Sequence, residues 1–208
     1  LYHYDQIPTA THVLPLKIPK ASQHDELLFQ LKSFLVDHGF IEVISYSFVD
    51  EIKALLFSDK SALYGLENPI SNDMNVMRTT LWTGLLQAME YNQRRQVGRQ
   101  CLFEVGRCFE LINGDLQQKM KCGLLMTGSR YPKQWAQQSK SVDFFDLKHY
   151  VEQMLKCAGL EDQVEWRSIA KEFLHPGQSV GLFLKDRLIG VMGALHPRLW
   201  PEWNIDQP

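Results

Sequence analysis

Three arginines lie close together in the sequence and could bind phosphate. Arg94, Arg95 and Arg99 occupy three of six consecutive positions, and positive side chains neutralise the phosphates of nucleic acids. They also suit the last turn of a helix, where the helix dipole favours positive charge, so a solvated helix end is the alternative. The net charge of the chain is −2, and any contact with nucleic acid would therefore depend on a local basic patch.

Histidine is the residue type that most invites a metal-site hypothesis. The chain has seven histidines, and His175 and His196 each precede a proline near the ends of predicted strands. Zinc ligands occur at short regular spacings, such as His-x-x-x-His or paired cysteines, and the sequence contains neither. We therefore expect turn histidines that hydrogen-bond to the backbone, and we assign no metal ligand.

Carboxylates and thiols give no clear catalytic group. Glu104 and Glu110 would lie on the same face of a strand only if Gly106 between them makes no bulge, and we interpret both as structural or divergent rather than catalytic. Nucleophilic catalysis by cysteine needs an identifiable base, which the sequence does not offer. We assign no catalytic or cofactor-binding residue, and we expect reduced, mostly buried thiols of a cytosolic protein. The cysteines are Cys101, Cys108, Cys122 and Cys157.

A predicted β-hairpin positions the two glutamates and two of the four cysteines. Residues 102–111 alternate in side-chain type as a strand does, and Asn113-Gly114 is the strongest short signal for a hairpin turn. Residues 122–127 would then return as the antiparallel partner. Gly106 indicates either a bulge or the close approach of another part of the chain.

Further helices and strands are predicted around the hairpin. The first helix begins at Ser22 and ends before Gly39. A strand over residues 41–48 follows, and we expect it to be central because both of its faces are partly apolar. Three more helices are predicted, at 50–57, from Thr79 or Thr80 to about Arg94, and at 143–158. A polar loop containing Arg130 and Trp135 precedes the last of these helices. Strands are predicted at 164–169, 180–184 and 187–195, and Lys185-Asp186 would form the turn between the last two strands.

Composition and the order of the elements define the fold class. The 208-residue chain is 45% hydrophobic and 22% charged, as expected for one ordinary globular domain, and no apolar run approaches the length of a membrane span. The irregular alternation of helices and hairpins predicts an α+β fold, an antiparallel β-sheet flanked by helices. No signal peptide is visible and the first residue is Leu, so we expect a cytoplasmic piece of a longer polypeptide that does not contact a membrane.

Blocks of sequence along nearly the whole chain resemble the family of phenylalanyl-tRNA synthetase β subunits. Each block alone is weak, but six occur in the order typical of the family. They are Asn-Pro-Ile-Ser at 68–71, Met-Arg-Thr-Thr-Leu at 77–81 with Gly-Leu-Leu at 84–86, Tyr-Asn-Gln-Arg at 91–94, Phe-Glu-Val-Gly-Arg at 103–107, Asp-Phe-Phe-Asp-Leu-Lys at 143–148 and Leu-His-Pro-Gly-Gln at 174–178. The resemblance implies a class II aminoacyl-tRNA synthetase-like fold.

One block resembles the second signature motif of class II synthetases, with a departure at its end. In active members an arginine follows the aromatic residue and holds the α-phosphate of ATP, whereas here Glu110 follows Phe109. A carboxylate repels the charge that develops on a phosphate. The resemblance therefore implies a synthetase-like scaffold without the catalytic group.

A second block, the helix and strand over residues 27–48, resembles the first class II motif. In that family the motif builds a subunit interface, and the alternative is an ordinary helix packed on a sheet. Including a residue of the later helix, the candidate interface residues are Leu31, Phe34, Phe40, Tyr46 and Trp82.

The resemblance also implies how the chain is organised and what it does. Residues 1–20 would be an incoming linker from a preceding domain, and residues 21–208 a class II synthetase-like module that ends before the third motif. The module would be non-catalytic and without a cofactor of its own. It would support the α subunit in attaching phenylalanine to tRNA(Phe), within an (αβ)2 holoenzyme that uses ATP and Mg and binds the tRNA.

Other functions of the β subunit would lie outside this chain. By the same resemblance, anticodon binding, editing and the metal-binding carboxylates belong to other parts of the subunit. Two alternatives remain open for the chain itself. It could be a free-standing enzyme or paralogue that binds a small ligand on the same scaffold, or a general protein-interaction domain.

Overall fold

The computed structural model describes residues 3–4 and 22–205. The predicted linker over residues 1–20 therefore lies almost entirely outside the described residues. No helix in the described part of the chain is both long and apolar enough to cross a bilayer. The elements are α1 Gln23–Asp37, β1 Ile41–Glu42, β2 Phe48–Val49, α2 Glu51–Leu55, β3 Val76–Met77, α3 Trp82–Gln93, β4 Gln100–Ile112, β5 Asp115–Thr127, α4 Phe144–Cys157, β6 Val164–Ser168, β7 Leu174–Leu184 and β8 Arg187–Leu195.

The predicted hairpin is confirmed as β4 and β5, the longest strands of the structure. Asn113 and Gly114 form its turn with φ values of 54° and 89°, the left-handed conformation that this turn type requires. The register runs without a shift from Gln100 opposite Thr127 to Ile112 opposite Asp115. Gly106 therefore makes no bulge, and side chains an even number of residues apart share a face along the whole of β4.

Helices cover both faces of this sheet. On one face, α3 contributes Leu85 and Met89 to a core with Leu102 of β4. On the other face, Leu35 of α1 and Phe40 pack against Phe103. Each such buried side chain contributes about 1.5–3 kcal/mol relative to exposure, so the odd and even residues of β4 anchor opposite layers of the domain.

The helix signals in the sequence are confirmed at their predicted positions. The Ser22 side chain caps α1 by accepting a hydrogen bond from the Asp25 amide, and Gly39 follows the helix with φ 83°. The Thr80 hydroxyl accepts a bond from the amide of Trp82, the first residue of α3. These local bonds satisfy amide groups that have no partner within the helix.

The predicted central strand over residues 41–48 is wrong for this chain. Within residues 41–48, only β1 and Val43 pair with β4, and they form a parallel edge of that sheet. At the end of this segment, β2 pairs instead with β3. Ile44 is 92% exposed and Tyr46 is 71% exposed. The apolar outer side of this segment suggested burial by neighbouring strands, but nothing in the described residues covers it.

A second antiparallel sheet completes the α+β fold. Its order is β6-β7-β8, and Lys185 and Asp186 form the predicted β7–β8 turn with φ values of 48° and 64°. The helix α4 lies between the sheets, since Tyr150 joins the core under α1 and Val151 packs toward β6–β8. The predicted class, antiparallel sheets flanked by helices, is confirmed, with β1 added in parallel.

Candidate functional site

A buried polar cluster joins three parts of the chain under α3. The side chains of Arg78 and Glu104 are only 6% and 3% exposed, and Arg78 Nη1 lies 2.5 Å from Glu104 Oε1. The Ser45 hydroxyl donates to Glu104 Oε2 at 2.7 Å and accepts from Arg78 Nη1 at 3.0 Å. Arg78 Nε donates to the Arg107 carbonyl at 2.9 Å. We call these residues the Ser45–Arg78–Glu104 cluster.

Two glycines make room for this cluster. A Cβ on Gly106 would lie 2.2 Å from Arg78 Nη2, and a Cβ on Gly84 would lie 2.1 Å from Ser45 Oγ. Both distances are far shorter than any van der Waals contact. The close approach expected at Gly106 is therefore the approach of the Arg78 guanidinium to β4.

The cluster's chemistry is structural. The guanidinium neutralises the Glu104 carboxylate, and hydrogen bonds use both carboxylate oxygens, which is how a buried charge is tolerated. This pairing supports a structural role for Glu104, which stays a prediction. Glu110 lies on the same face of β4 and is half-buried. Sequence reasoning missed Arg78, whose only signal is a charged residue just before a predicted helix.

The candidate interface residues divide between the interior and the surface. Phe40 is 3% exposed and lies in the core, while Leu31 and Phe34 are half-buried. Trp82 packs edge-on against Phe173, with ring centroids 5.3 Å apart. Tyr46 alone of the five points largely to solvent. The structure therefore does not bring the five residues together on one surface.

Other apolar side chains of α1 and of the segment that follows it are exposed and were not singled out from the sequence. Large exposed apolar patches are typical of interaction surfaces. Along the extended segment, Ile44 and Tyr46 point outward, whereas Val43 packs on the core and Ser45 joins the buried cluster. We call the exposed residues of this region the motif 1 surface. They are Phe29, Val36, Ile41, Ile44 and Tyr46, with exposed fractions of 72%, 54%, 65%, 92% and 71%.

The three arginines have different surroundings. Arg94, at the end of α3, pairs with Glu90, and Arg95 lies over the Tyr91 ring at 3.4 Å from its centroid. Arg99 is half-buried and donates to the Arg130 carbonyl at 3.5 Å. Arg94 and Arg95 are exposed and belong to a helix end, whereas Arg99 supports a loop.

The histidines that suggested a metal site serve as turn residues, as expected. His175 Nδ1 accepts from the Gly177 amide and His196 Nδ1 from the Arg198 amide, both at 3.1 Å. Among residues 3–4 and 22–205, no group of three or more His, Cys, Asp or Glu side chains could hold a metal ion.

The thiols are buried in only two of four positions. Cys101 and Cys108 are buried, and burial raises the pKa of both thiols, which lowers their reactivity because the thiolate is the reactive form. Cys122 and Cys157 are exposed. The expectation of mostly buried thiols is therefore wrong for half of them, because Cys122 belongs to the exposed first part of β5 and Cys157 is the last residue of α4.

A shallow cavity of about 430 Å³ lies between the start of α4 and the strands β6 and β7. Two of its polar side chains already have partners within the chain. Asp143 caps α4 by accepting from the amides of Phe145 and Asp146, and the Ser179 hydroxyl donates to the Ile169 carbonyl. Ser168 and Gln178 also line the cavity and are exposed to solvent. We assign no ligand to this cavity.

Comparison with known proteins identifies relatives along almost the whole chain. The family described as the phenylalanyl tRNA synthetase beta chain CLM domain matches residues 7–208. The phenylalanine–tRNA ligase beta subunit of Coxiella burnetii is 39% identical over 200 residues, covering 96% of this chain and 25% of that protein. That of Nitrosococcus oceani is 40% identical over 208 residues, covering 99% and 26%. The chain thus spans about a quarter of the length of these relatives.

A solved structure supports the fold. A pyrrolysyl tRNA synthetase from Desulfitobacterium hafniense superposes with a TM-score of 0.67 at 18% identity, covering 89% of this chain and 61% of that one. At this identity the likeness concerns the fold alone. The predicted class II synthetase-like fold is confirmed.

Proposed function

The chain belongs to the phenylalanyl-tRNA synthetase β-chain family that carries the CLM domain, and from this we propose that it is a non-catalytic, synthetase-like module. In this proposal the module supports the α subunit while the holoenzyme attaches phenylalanine to tRNA(Phe) in the cytoplasm. ATP and Mg are used by the holoenzyme, and this chain binds neither.

The observation that carries the non-catalytic role is the set of charges on the hairpin. Glu110 stands where active class II members place an arginine on the α-phosphate of ATP, and it lies on the face of β4 that α3 covers. The guanidinium nearest to that face, Arg78, is already paired with Glu104. Arg107 alternates to the opposite face and donates to Gln118. Lys121, opposite Gly106 on the same face, donates to the Thr79 carbonyl. These side chains would therefore offer the α-phosphate of ATP no free guanidinium.

The motif 1 surface supports the partner role. Val43 packs against the core and Ser45 hydrogen-bonds to Glu104. Because side chains alternate along an extended segment, Ile44 and Tyr46 then point outward. Covering such side chains would contribute about 25 cal/mol for each Å² of apolar surface removed from water. We therefore propose this surface as the contact with the α subunit, with Tyr46 retained from the sequence-based set.

The catalytic part of the proposal is tested by ATP–pyrophosphate exchange dependent on phenylalanine. The chain in its full-length context should give no exchange when purified alone and should support exchange when combined with the α subunit. Exchange by the β chain alone would contradict the proposal and would mean that Glu110 does not prevent ATP activation.

The interface is tested by substitution at exposed positions, where folding is least affected. The double variant Ile44→Asp with Tyr46→Asp should reduce co-purification with the α subunit, because it places two charges on an apolar contact. Ile70→Asp is the matched control, since Ile70 is 83% exposed but lies outside the motif 1 surface. Equal effects of the double variant and the control would place the interface elsewhere.

A further inference from the structure

The loop between β5 and α4 presents an exposed tryptophan that the proposed function does not use. Trp135 is 99% exposed, and Tyr131 in the same loop is 50% exposed. A tryptophan so fully in water buries none of its large apolar surface, which is unusual for this residue type. Its ring is therefore free to contact a binding partner.

This loop is held in a defined conformation at its base. The Arg130 amide donates to the Lys140 carbonyl at 2.7 Å and the Val142 amide to the Gly128 carbonyl at 2.9 Å. Arg130 also pairs with Asp146 at 2.5 Å. Further out, Gln134 and Gln137 face each other as a bridge around Trp135. These bonds keep the tryptophan at the tip of a small hairpin.

The charge of the loop points to the class of its partner. Residues 129–141 contain Arg130, Lys133 and Lys140 and no carboxylate, although the chain as a whole has a net charge of −2. Arg130 and Lys140 pair with acidic side chains at the start of α4, and no ion pair within the described residues includes Lys133.

Most of the other side chains around the tip are polar, and the exceptions are Tyr131, Pro132 and Ala136. A small concavity of about 130 Å³ beside Trp135 is lined by Tyr131, Lys133, Gln134 and Lys140, among others. Glutamine amides can bond to the edges of a nucleobase, and a lysine can neutralise a phosphate. A protein-docking site would instead surround the tryptophan with large aliphatic side chains, and residues 129–141 contain none.

We propose that residues 129–141 contact an unpaired segment of RNA, with Trp135 stacking on a base and Lys133 beside a phosphate. Stacking needs an exposed base face, which single-stranded RNA offers and a duplex does not. The proposal rests on the proposed function in one respect, namely that the assembled enzyme acts on a tRNA. It assigns to this loop the RNA contact that the arginines at the end of α3 suggested from sequence alone.

The test measures tRNA binding by the assembled holoenzyme at several salt concentrations. Trp135→Ala should weaken binding by roughly tenfold, the lower part of the range for one lost base stack. Trp135→Phe retains an aromatic face and should keep most of the affinity. Lys133→Gln should weaken binding and lower the slope of log affinity against log salt by about one, as expected for one phosphate contact. Ile70→Ala, another exposed apolar residue, should change nothing.

The outcomes separate this inference from the proposed function. Unchanged tRNA affinity in Trp135→Ala would overturn the inference while leaving the module's role intact. Loss of co-purification with the α subunit at unchanged affinity for RNA would also overturn it, because the tryptophan would then lie against protein. If the wild-type chain fails to assemble with the α subunit, the proposed function fails. The same variants, compared for binding of a single-stranded RNA oligonucleotide by the full-length chain alone, would still decide the inference.

Discussion

Two arginine–carboxylate clusters in this molecule use the same chemistry in opposite environments. Arg78 and Glu104 are buried, with side-chain exposures of 6% and 3%. Arg130 pairs with Asp143 and Asp146 at the surface, where the three side chains are 28%, 39% and 12% exposed. The first cluster fixes the framework of the domain, and the second holds the base of an exposed loop.

The difference shows what burial does to an ion pair. A buried pair has lost the solvation of both charges, so each partner depends on the other and on further hydrogen bonds. A surface pair remains solvated and contributes little to stability. The buried cluster also fixes the inner side of the segment that carries Ile44 and Tyr46, which connects core packing to the proposed contact with the α subunit.

The largest effect is expected from breaking the buried pair. Glu104→Ala leaves the Arg78 guanidinium buried without a counter-charge and should reduce the free energy of unfolding by about 3–5 kcal/mol. Urea unfolding can be followed by tryptophan fluorescence because Trp203 is fully buried. The double variant Arg78→Met with Glu104→Leu should recover much of the loss, since it removes both charges. A loss below about 1 kcal/mol in the single variant would mean that the pair behaves like a surface pair.

A smaller effect is expected from crowding the same cluster without removing a charge. Gly106→Ala would place a methyl group 2.2 Å from Arg78 Nη2, and that guanidinium cannot swing away because hydrogen bonds hold it on several sides. Overpacking of this kind costs about 1–3 kcal/mol. Gly65→Ala is the matched control, because nothing lies within 4 Å of its added Cβ. Equal stabilities of the two variants would show that Arg78 has room to move.

The surface cluster should show a modest and pH-dependent effect. Burial tends to raise the pKa of the Asp143 carboxyl, but amide donors of Asp146 and Phe145 and the positive charges of Arg130 and Lys140 outweigh it, so that the pKa is lowered. A lowered pKa in the folded state stabilises the fold fully above the unfolded value of about 3.9. This stabilisation is lost as pH falls through the folded pKa.

Substitutions at Asp143 separate the helix cap from the charge. Asp143→Ala removes the cap of α4 and should cost about 1 kcal/mol at neutral pH, with a smaller deficit below about pH 4. Asp143→Asn keeps the capping ability, so its free energy of unfolding at neutral pH should be close to that of the wild type. Its stability should depend less on pH in the acid range. Identical pH profiles for Asn and the wild type would show that the Asp143 charge does not contribute.

The two clusters also show what the sequence could and could not predict. The cap of α4 and the β4–β5 turn depend on neighbouring residues, so local signals at Asp143 and at Asn113-Gly114 were sufficient. The Arg78–Glu104 pair joins residues 26 positions apart, and no local pattern connects them. Gly106 indicated a close approach, but the sequence did not reveal which group approaches.

The candidate interface was predicted less well, for a related reason. Apolar residues on both sides of the segment 41–48 suggested a central strand, because sequence reports that a side chain is apolar but not what covers it. Phe40 is covered by this chain, whereas Ile44 is not. The family resemblance indicated a region of the chain, and the structure was needed to select the outward residues within it.

The smallest effect on stability is expected from an ion pair at the exposed end of α3, and this makes it useful. Arg94 is 63% exposed and pairs with Glu90 one helical turn away, so Arg94→Ala should change the free energy of unfolding by less than about 0.5 kcal/mol. Any change in tRNA binding by the holoenzyme would then report a contact rather than misfolding. If Arg94 meets a phosphate, the slope of log affinity against log salt should fall by about one. Arg187→Ala, which removes an equal charge from the exposed start of β8, is the control, and equal slopes for the two variants would exclude a phosphate contact at Arg94.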